Sequence, residues 1–226
     1  MQEGTVIGLS ERKQKEKEMR RNDIIDAAEK LFFDKGYDST TIDDVAKTAE
    51  FSKRTVYVYF NSKEQLYFEI MLRGYKLLNR MMADEFQRDA PRSALDGIRR
   101  IGDALYRFSR EYPNYFNAIL EYENGERDFD KSVPDRSREE CYEQGEIVLG
   151  HLVRLLNQGM EEGTVRPDID AAGTALVLWA CTVGVFKTAR TKARYIGHYH
   201  NSSADRLIAD AFDLLIRSIR VTPEGE

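Results

Sequence analysis

The hydrophobic residues of this chain recur at helical spacing from about residue 22 onwards. Within 22–35 they fall at positions i, i+3, i+4, i+7 and i+8, which predicts an amphipathic helix that ends near Gly36. The same pattern after Thr41 predicts a second helix of about two turns. Ser52 and Ser62 are suitable N-cap residues for a third, short helix and a fourth, longer one. The first 85 residues are therefore predicted to form two long helices with two short ones between them.

The rest of the chain continues the helical pattern. Further helices are predicted at 91–110, 113–121, 134–160, 171–186 and 204–220. No segment alternates between apolar and polar residues for long enough to predict a sheet. The predicted fold class is all-α, with a small N-terminal helix-turn-helix domain of three helices and a larger C-terminal helical domain.

One of these segments is unusually apolar. Residues 171–186 contain no charged side chain over 16 positions. A helix that spans a membrane needs about 20 apolar residues, so this run is too short by that measure. It is predicted to be buried, either inside the domain or at a contact between subunits.

Composition and charge narrow the class of protein. Hydrophobic residues make up 42% of the 226 residues and charged residues 32%, as in soluble helical proteins. The net charge of −5 argues against binding to nucleic acid by charge alone. Residues 11–21 nevertheless contain six Lys or Arg and only three Glu, and a site-specific binder needs positive charge only where it touches phosphates.

The termini and cysteines indicate a cytoplasmic protein. The N-terminus lacks an apolar segment after a basic start, so neither secretion nor membrane insertion is predicted. Cys141 and Cys181 lie 40 positions apart without metal-binding or framework spacing, and we expect both to be reduced thiols.

Enzyme signatures are missing from the sequence. It has no phosphate-binding glycine loop, no HExxH and no GxSxG, so we predict no enzyme activity, cofactor or metal. His198 and His200 are two positions apart, which places them about 200° apart on a helix and unable to share a metal. His151 lies on an apolar stripe, which favours a core or pocket-lining histidine over a catalytic one.

The segment from Glu50 to Lys63 has the layout of a DNA-reading element. A turn of three residues joins the second and third helices, and the second helix of such a pair enters the major groove of DNA. Val56 and Phe60 are predicted to face inwards, four residues apart. The residues predicted to contact DNA are Thr41, Ser52, Lys53, Arg54, Thr55, Tyr57, Tyr59 and Lys63.

Two kinds of contact are predicted for this set. Lys53 and Arg54 are expected at base edges, where Arg can bind guanine with two hydrogen bonds, or at flanking phosphates. The tyrosines and Lys63 are expected at the phosphate backbone. The alternative is that the tyrosines are half-buried core residues and that the lysines only keep the surface soluble.

Three motifs in this region resemble the TetR/AcrR family of bacterial transcriptional regulators. They are A-x-x-L-F-x-x-x-G-Y from Ala28, T-T-I-x-x-V-A from Thr40, and T-V-Y-x-Y-F followed by x-S-K-E-x-L from Thr55. The chain departs from the family where Glu50 and Arg54 replace glycines. Glu50 is therefore expected to adopt a left-handed conformation at some energetic cost or to change the turn.

The resemblance implies a homodimeric repressor that a small, largely apolar molecule releases from a palindromic operator. The predicted domains are a basic, mobile N-terminal arm at 1–20, a helix-turn-helix DNA-binding domain at 21–66 and a ligand-binding and dimerisation domain at 67–226. The expected ligand-binding residues are Phe86, Tyr106, Phe116, His151 and Trp179. The expected dimer interface, on the last two long helices, comprises Trp179, Val183, Phe186, Leu207, Ala211, Phe212 and Leu215.

Two other classes remain compatible with the sequence. One is an all-α binding or scaffold protein that does not recognise a specific operator. The other is an enzyme whose site is assembled from scattered residues. Saturable, specific binding to DNA distinguishes the regulator from both.

Overall fold

The computed structural model describes residues 3–123 and 135–222, with side chains described from residue 11. The described part contains ten helices and no strand, which confirms the predicted all-α fold. They are α1 (Glu3–Lys35), α2 (Ile42–Thr48), α3 (Lys53–Tyr59), α4 (Lys63–Arg88), α5 (Ala94–Glu111), α6 (Pro113–Glu123), α7 (Arg136–Glu161), α8 (Ala171–Thr191), α9 (Ala193–His200) and α10 (Ala204–Ile219). The start predicted for the helix at 134 lies outside the described residues.

The chain forms two compact units. The first comprises Met1–Arg73 together with Val133–Cys141, and the second comprises Gly74–Ser132 and Tyr142–Glu226. The first residues of α7 thus belong to the N-terminal unit although they follow it in sequence by about sixty positions. The predicted division after residue 66 concerns function and remains a prediction.

The core of the first unit is built from the apolar positions of α1 to α4. Ile24, Val45, Val56 and Leu66 have no exposed surface, and Phe60 is 1% exposed. The predicted inward orientation of Val56 and Phe60 is therefore confirmed. Burying side chains of this size stabilises the fold by roughly 1.5–3 kcal/mol each.

The second unit is a bundle in which α8 and α10 pack against each other and against α5 and α6. Phe108, Leu156 and Ala175 are fully buried at its centre. The ends of this bundle are joined by a short backbone link, in which the Arg166 amide donates to the Ile219 carbonyl at 2.9 Å. A Cβ on Gly159 would lie 2.4 Å from Val165, so only glycine allows this close approach.

Helix α1 is longer than predicted. The apolar pattern begins near residue 22, but the helix begins at Glu3 and includes most of the predicted N-terminal arm. Between residues 11 and 18 the chain has no apolar side chain and many strong helix formers, so periodicity gives no signal there while propensity favours a helix. Bonds four residues apart support it, including Arg20 to Glu16 at 2.7 Å.

Helix α8 is also longer than the uncharged run that predicted it. Its 21 residues have a mean hydropathy of 1.4 over the most apolar window, so by length and composition alone it could cross a membrane. This corrects the argument that the segment is too short to do so. Only 28% of that window is buried. Most of the helix surface is therefore not buried within the chain, contrary to the first alternative of the prediction. The second alternative, a contact between subunits, remains a prediction.

Candidate nucleic-acid interface

The two short helices of the first unit are fixed at their starts by side-chain caps. Thr41 caps α2: its Oγ1 accepts from the Asp44 amide at 3.1 Å, and the Asp44 carboxylate accepts from the Thr41 amide at 3.0 Å. The backbone hydrogen bond from Thr41 is the main cause that lowers the pKa of Asp44. Ser52 caps α3 by accepting from the Thr55 amide at 3.0 Å. Three residues that were predicted to contact DNA therefore make their main hydrogen bonds within these caps: Thr41, Ser52 and Thr55.

The turn between α2 and α3 depends on one strained residue. Glu50 has φ = 58°, the left-handed conformation that favours glycine, as the sequence led us to expect. The following amide, that of Phe51, donates to the Ala46 carbonyl at 2.9 Å and closes the turn. The turn keeps its geometry without the family's glycine.

The outward face of α3 combines cationic, aromatic and apolar groups. Lys53 and Arg54 are exposed, Tyr57 is 47% exposed and Val58 is 71% exposed. Tyr59 is half-buried, which agrees with the alternative in which the tyrosines are half-buried core residues. Val58 lies four residues after Arg54 on the same outer face. An exposed valine there is suited to contact a thymine methyl group.

The two cations at the start of α3 differ in how they are held. The Lys53 Nζ lies 2.8 Å from the Asp43 Oδ2, and this hydrogen bond is the main cause that raises the pKa of Lys53. The Arg54 side chain makes no hydrogen bond or ion pair with the described residues. Its guanidinium is therefore the cation most available to a ligand on this face.

Lys63 is tied into the first unit rather than free at the surface. Its ammonium donates to the carbonyls of Tyr37 at 2.9 Å and Thr40 at 3.1 Å, and it lies 4.1 Å from the centroid of the Tyr37 ring. Of its three donors, one remains for a phosphate. Lys63 thus holds the start of α4 against the loop before α2.

A buried carboxylate that the sequence analysis missed joins several elements of this unit. Glu69 of α4 is 7% exposed and accepts hydrogen bonds from Arg21 of α1 and Ser137 of α7. The Arg21 guanidinium also lies 5.2 Å from the centroid of the Phe60 ring, at the end of α3. The only signal in the sequence is a glutamate between Phe68 and Ile70, in the apolar part of the helix.

The same part of the chain matches a known family. Residues 24–70 match the family model described as "Bacterial regulatory proteins, tetR family". Over 159 residues the chain is 27% identical to the uncharacterized HTH-type transcriptional regulator YfiR of Bacillus subtilis. That alignment covers 67% of this chain and 70% of YfiR. This chain therefore carries the DNA-binding domain of the TetR family of transcriptional regulators over residues 24–70. Its α2–α3 pair is the helix-turn-helix of that family, and α3 is the recognition helix.

Two further proteins are similar to this chain over one region or over the whole fold. IcaR of Staphylococcus aureus, the negative regulator of the biofilm operon icaADBC, is 39% identical over 62 residues, 27% of this chain and 33% of IcaR. The crystal structure of AibR, solved in complex with isovaleryl coenzyme A and operator DNA, aligns with a TM-score of 0.63 and 19% identity. That alignment covers 87% of this chain and 98% of AibR.

Two small apolar cavities lie among the described residues of the second unit. The first, of about 60 Å³, is lined by residues that include Met82, Leu105, Trp179 and Phe212. The second, of about 20 Å³, lies beside it and shares Leu105 and Trp179. Two of the five residues expected to bind a ligand are therefore brought to these cavities, Trp179 to both and Phe116 to the second.

The other three expected ligand-binding residues lie apart from these cavities. Phe86 and His151 stack on each other with centroids 6.1 Å apart. Arg154 lies 2.6 Å from the His151 Nδ1, and burial followed by the charge of Arg154 lowers the pKa of His151. Burial, together with a hydrogen bond to Asp205, raises the pKa of Tyr106.

Most residues expected at the dimer interface face into the second unit. Phe186 is 4% exposed and contacts Phe116 and Phe212, with centroids 4.9 and 6.2 Å away. Trp179, Val183, Phe212 and Leu215 line the two cavities. Ala211 is half-buried, and Leu207 lines an open cleft beside α9.

The apolar residues that point outwards on these helices are different ones. Leu176 and Val177 of α8 are 55% and 60% exposed, Leu214 of α10 is 62% exposed, and Cys181 is also exposed. We call these four residues the outer apolar face. Within the described residues, no group of three or more His, Cys, Asp or Glu side chains is placed to hold a metal ion.

Proposed function

We propose that this protein is a cytoplasmic, homodimeric repressor that binds a palindromic operator through α3. The observation that carries this proposal is Arg54, an exposed guanidinium without a partner among the described residues, at the start of a recognition helix whose other end is anchored by Phe60. Residues at the start of such a helix contact base edges. Arg54 is suited to bind guanine, while Tyr57 and the remaining donor of Lys63 bind phosphates.

The outer apolar face supports a dimer. Exposed apolar side chains that are grouped on a surface mark interaction sites. Leu176 and Val177 lie one turn before Cys181 on α8, and Leu214 extends the apolar surface on α10. We propose that this face, together with the predicted interface residues beneath it, forms a two-fold contact between α8 and α10 of both subunits. A two-fold dimer places its recognition helices about 34 Å apart, or a multiple of that distance.

The cavities around Trp179 support release by a small apolar ligand. Ligand pockets have volumes of about 300–1,000 Å³, so the two cavities can hold an effector only if the side chains between them move. AibR, which shares this fold, was solved with isovaleryl coenzyme A as well as operator DNA. Helix α4 carries the cavity residues Leu78 and Met82 and also Lys63. We propose that ligand binding shifts α4 and weakens operator binding about 5- to 150-fold.

The test is a gel shift with the DNA upstream of the protein's own gene, repeated over a range of salt concentrations. We expect saturable binding that persists against an excess of unrelated DNA and weakens as salt rises. Weak binding that does not depend on sequence at any salt concentration would contradict the proposal. That result would favour the alternative, an all-α binding or scaffold protein without a specific operator.

A further inference from the structure

Residues 11–20 of α1 form a largely polar stretch of helix. Residues 11–20 are all exposed, and the segment lies before the family-model match at 24–70. The hydrophobic effect cannot hold such a helix against a protein surface, because the segment from 11 to 18 offers no apolar side chain. Its surface is suited to water or to a charged partner.

One stripe of this helix is cationic, and its last residue, Arg21, contacts the end of the recognition helix. Lys13, Lys17 and Arg21 are spaced four residues apart and so lie along one side of α1. Arg21 shows where that side faces, because its guanidinium packs over Phe60, the C-cap residue of α3. With a rise of 1.5 Å per residue, Lys17 and Lys13 lie roughly 6 and 12 Å beyond Arg21 along the helix.

No described side chain neutralises the two lysines of this stripe, whereas Arg21 is paired with Glu69. Neither Lys13 nor Lys17 has a hydrogen bond or ion pair with the described residues. Glu16 is paired with Arg20 at 2.7 Å, and Gln14 donates to Glu18 at 2.9 Å. At about 100° per residue, Glu11 and Glu18 lie about 100–120° around the helix from Lys17, the middle of the stripe. The two lysines therefore present an unpaired positive edge.

We propose that Lys13 and Lys17 bind the sugar-phosphate backbone beside the bases that α3 contacts. This inference rests on the proposed function, since it places the stripe on the same operator. The major groove is about 12 Å wide and has phosphates on both sides. Helix α1 extends past the end of α3 by a similar distance, so its lysines can reach these phosphates. Lysine ammonium groups bind phosphates without reading sequence. The extension of α1 thus adds affinity but no base preference.

The test compares two double variants of the full-length protein that remove equal charge. Lys13→Gln with Lys17→Gln removes the stripe, and Arg12→Gln with Lys15→Gln removes two cations from the other side of α1, about 150° around the helix. Binding to the operator fragment found by gel shift is measured from 50 to 300 mM salt. The dimer then loses four lysines, so for the stripe variant we expect the slope of log K against log salt to fall in magnitude by about 3.6 and affinity at 0.1 M salt to fall by up to about 4,000-fold.

The matched variant is expected to keep a slope close to wild type, and both variants are expected to keep the wild-type order of preference among operator variants. Specific wild-type binding with an unchanged slope in the stripe variant overturns this inference and leaves the proposed function standing. Equal losses in both variants also overturn it, because they indicate a diffuse charge effect. So does a stripe variant that loses binding to phosphatidylserine vesicles but not to DNA. A wild-type protein without specific binding instead overturns the proposed function.

Discussion

At the residue scale, Lys53 and Arg54 lie side by side on α3 but are held differently. Lys53 is paired with Asp43, whereas Arg54 has no partner within the described structure. We predict that Arg54→Ala relaxes base preference at one operator position in each half-site, with a loss of about 1–3 kcal/mol of discrimination. Competition binding against operators mutated at each position measures this loss. Lys53→Ala is the control, and equal loss of preference in both variants would contradict the assignment.

His151 gives the second unit a predictable response to acid. Its pKa in the folded protein is lowered, by burial first and by Arg154 second, while the unfolded chain titrates near about 6.5. As the pH falls below that value, the unfolded state takes up a proton before the folded state, so the free energy of unfolding decreases. The decrease is complete once the pH is below the folded pKa.

We predict that His151→Gln makes this part of the pH dependence disappear. Urea unfolding of both proteins at pH 8 and pH 5.5 gives the change in the free energy of unfolding between the two pH values. Subtracting the change in the variant from that in the wild type cancels the contributions of all other groups. An equal loss of stability between the two pH values in wild type and variant would show that His151 is not responsible. The stacking partner Phe86 is the same residue in both proteins.

At the scale of elements, the α2–α3 turn carries strain that one substitution can relieve. A non-glycine residue in the left-handed region costs about 1–2 kcal/mol, and Glu50 is in that region. We predict that Glu50→Gly stabilises the protein by up to about 1 kcal/mol, because the added flexibility of glycine in the unfolded chain offsets part of the gain. Chemical denaturation measures the change. Glu50→Ala keeps the strain and serves as the control, so equal stabilisation by both would refute the argument.

Elements with an apolar pattern were predictable from sequence, and elements without one were not. The short helices α2 and α3, their caps and the inward positions Val56 and Phe60 follow from spacing alone. The extension of α1 and the short α9 do not, because neither has an apolar stripe long enough to give a period. Along α8, apolar residues occupy every side, so the sequence could not show which of them point inwards.

The candidate site shows the same limit at the level of single side chains. Exposure of Arg54 and Tyr57 could be predicted from their positions relative to Val56. The partners of Lys53, Lys63 and Glu69 could not, since they come from elements far away in sequence. Side-chain pairing across elements depends on packing geometry that periodicity does not encode.

At the scale of the whole molecule, the outer apolar face is expected to decide the oligomeric state. We predict that Leu176→Glu combined with Val177→Glu yields monomers, because charge on this face opposes its burial against a second copy. Light scattering after size-exclusion chromatography measures the mass directly. Ile147→Glu changes an apolar residue of α7 that is 43% exposed and should leave the dimer intact. A dimer that persists in the double variant would place the interface elsewhere.

The contribution of Val133–Cys141 to the first unit limits how this protein can be recombined with its relatives. A chimera that takes residues up to Arg73 from this chain and the remainder from another regulator would supply Arg21 and Glu69 but not Ser137 or Cys141. The Glu69 carboxylate would then lose a buried donor, a change that costs about 1–3 kcal/mol, unless the new sequence places a hydroxyl there. Grafting the first unit of this chain onto another regulator therefore requires two segments rather than one.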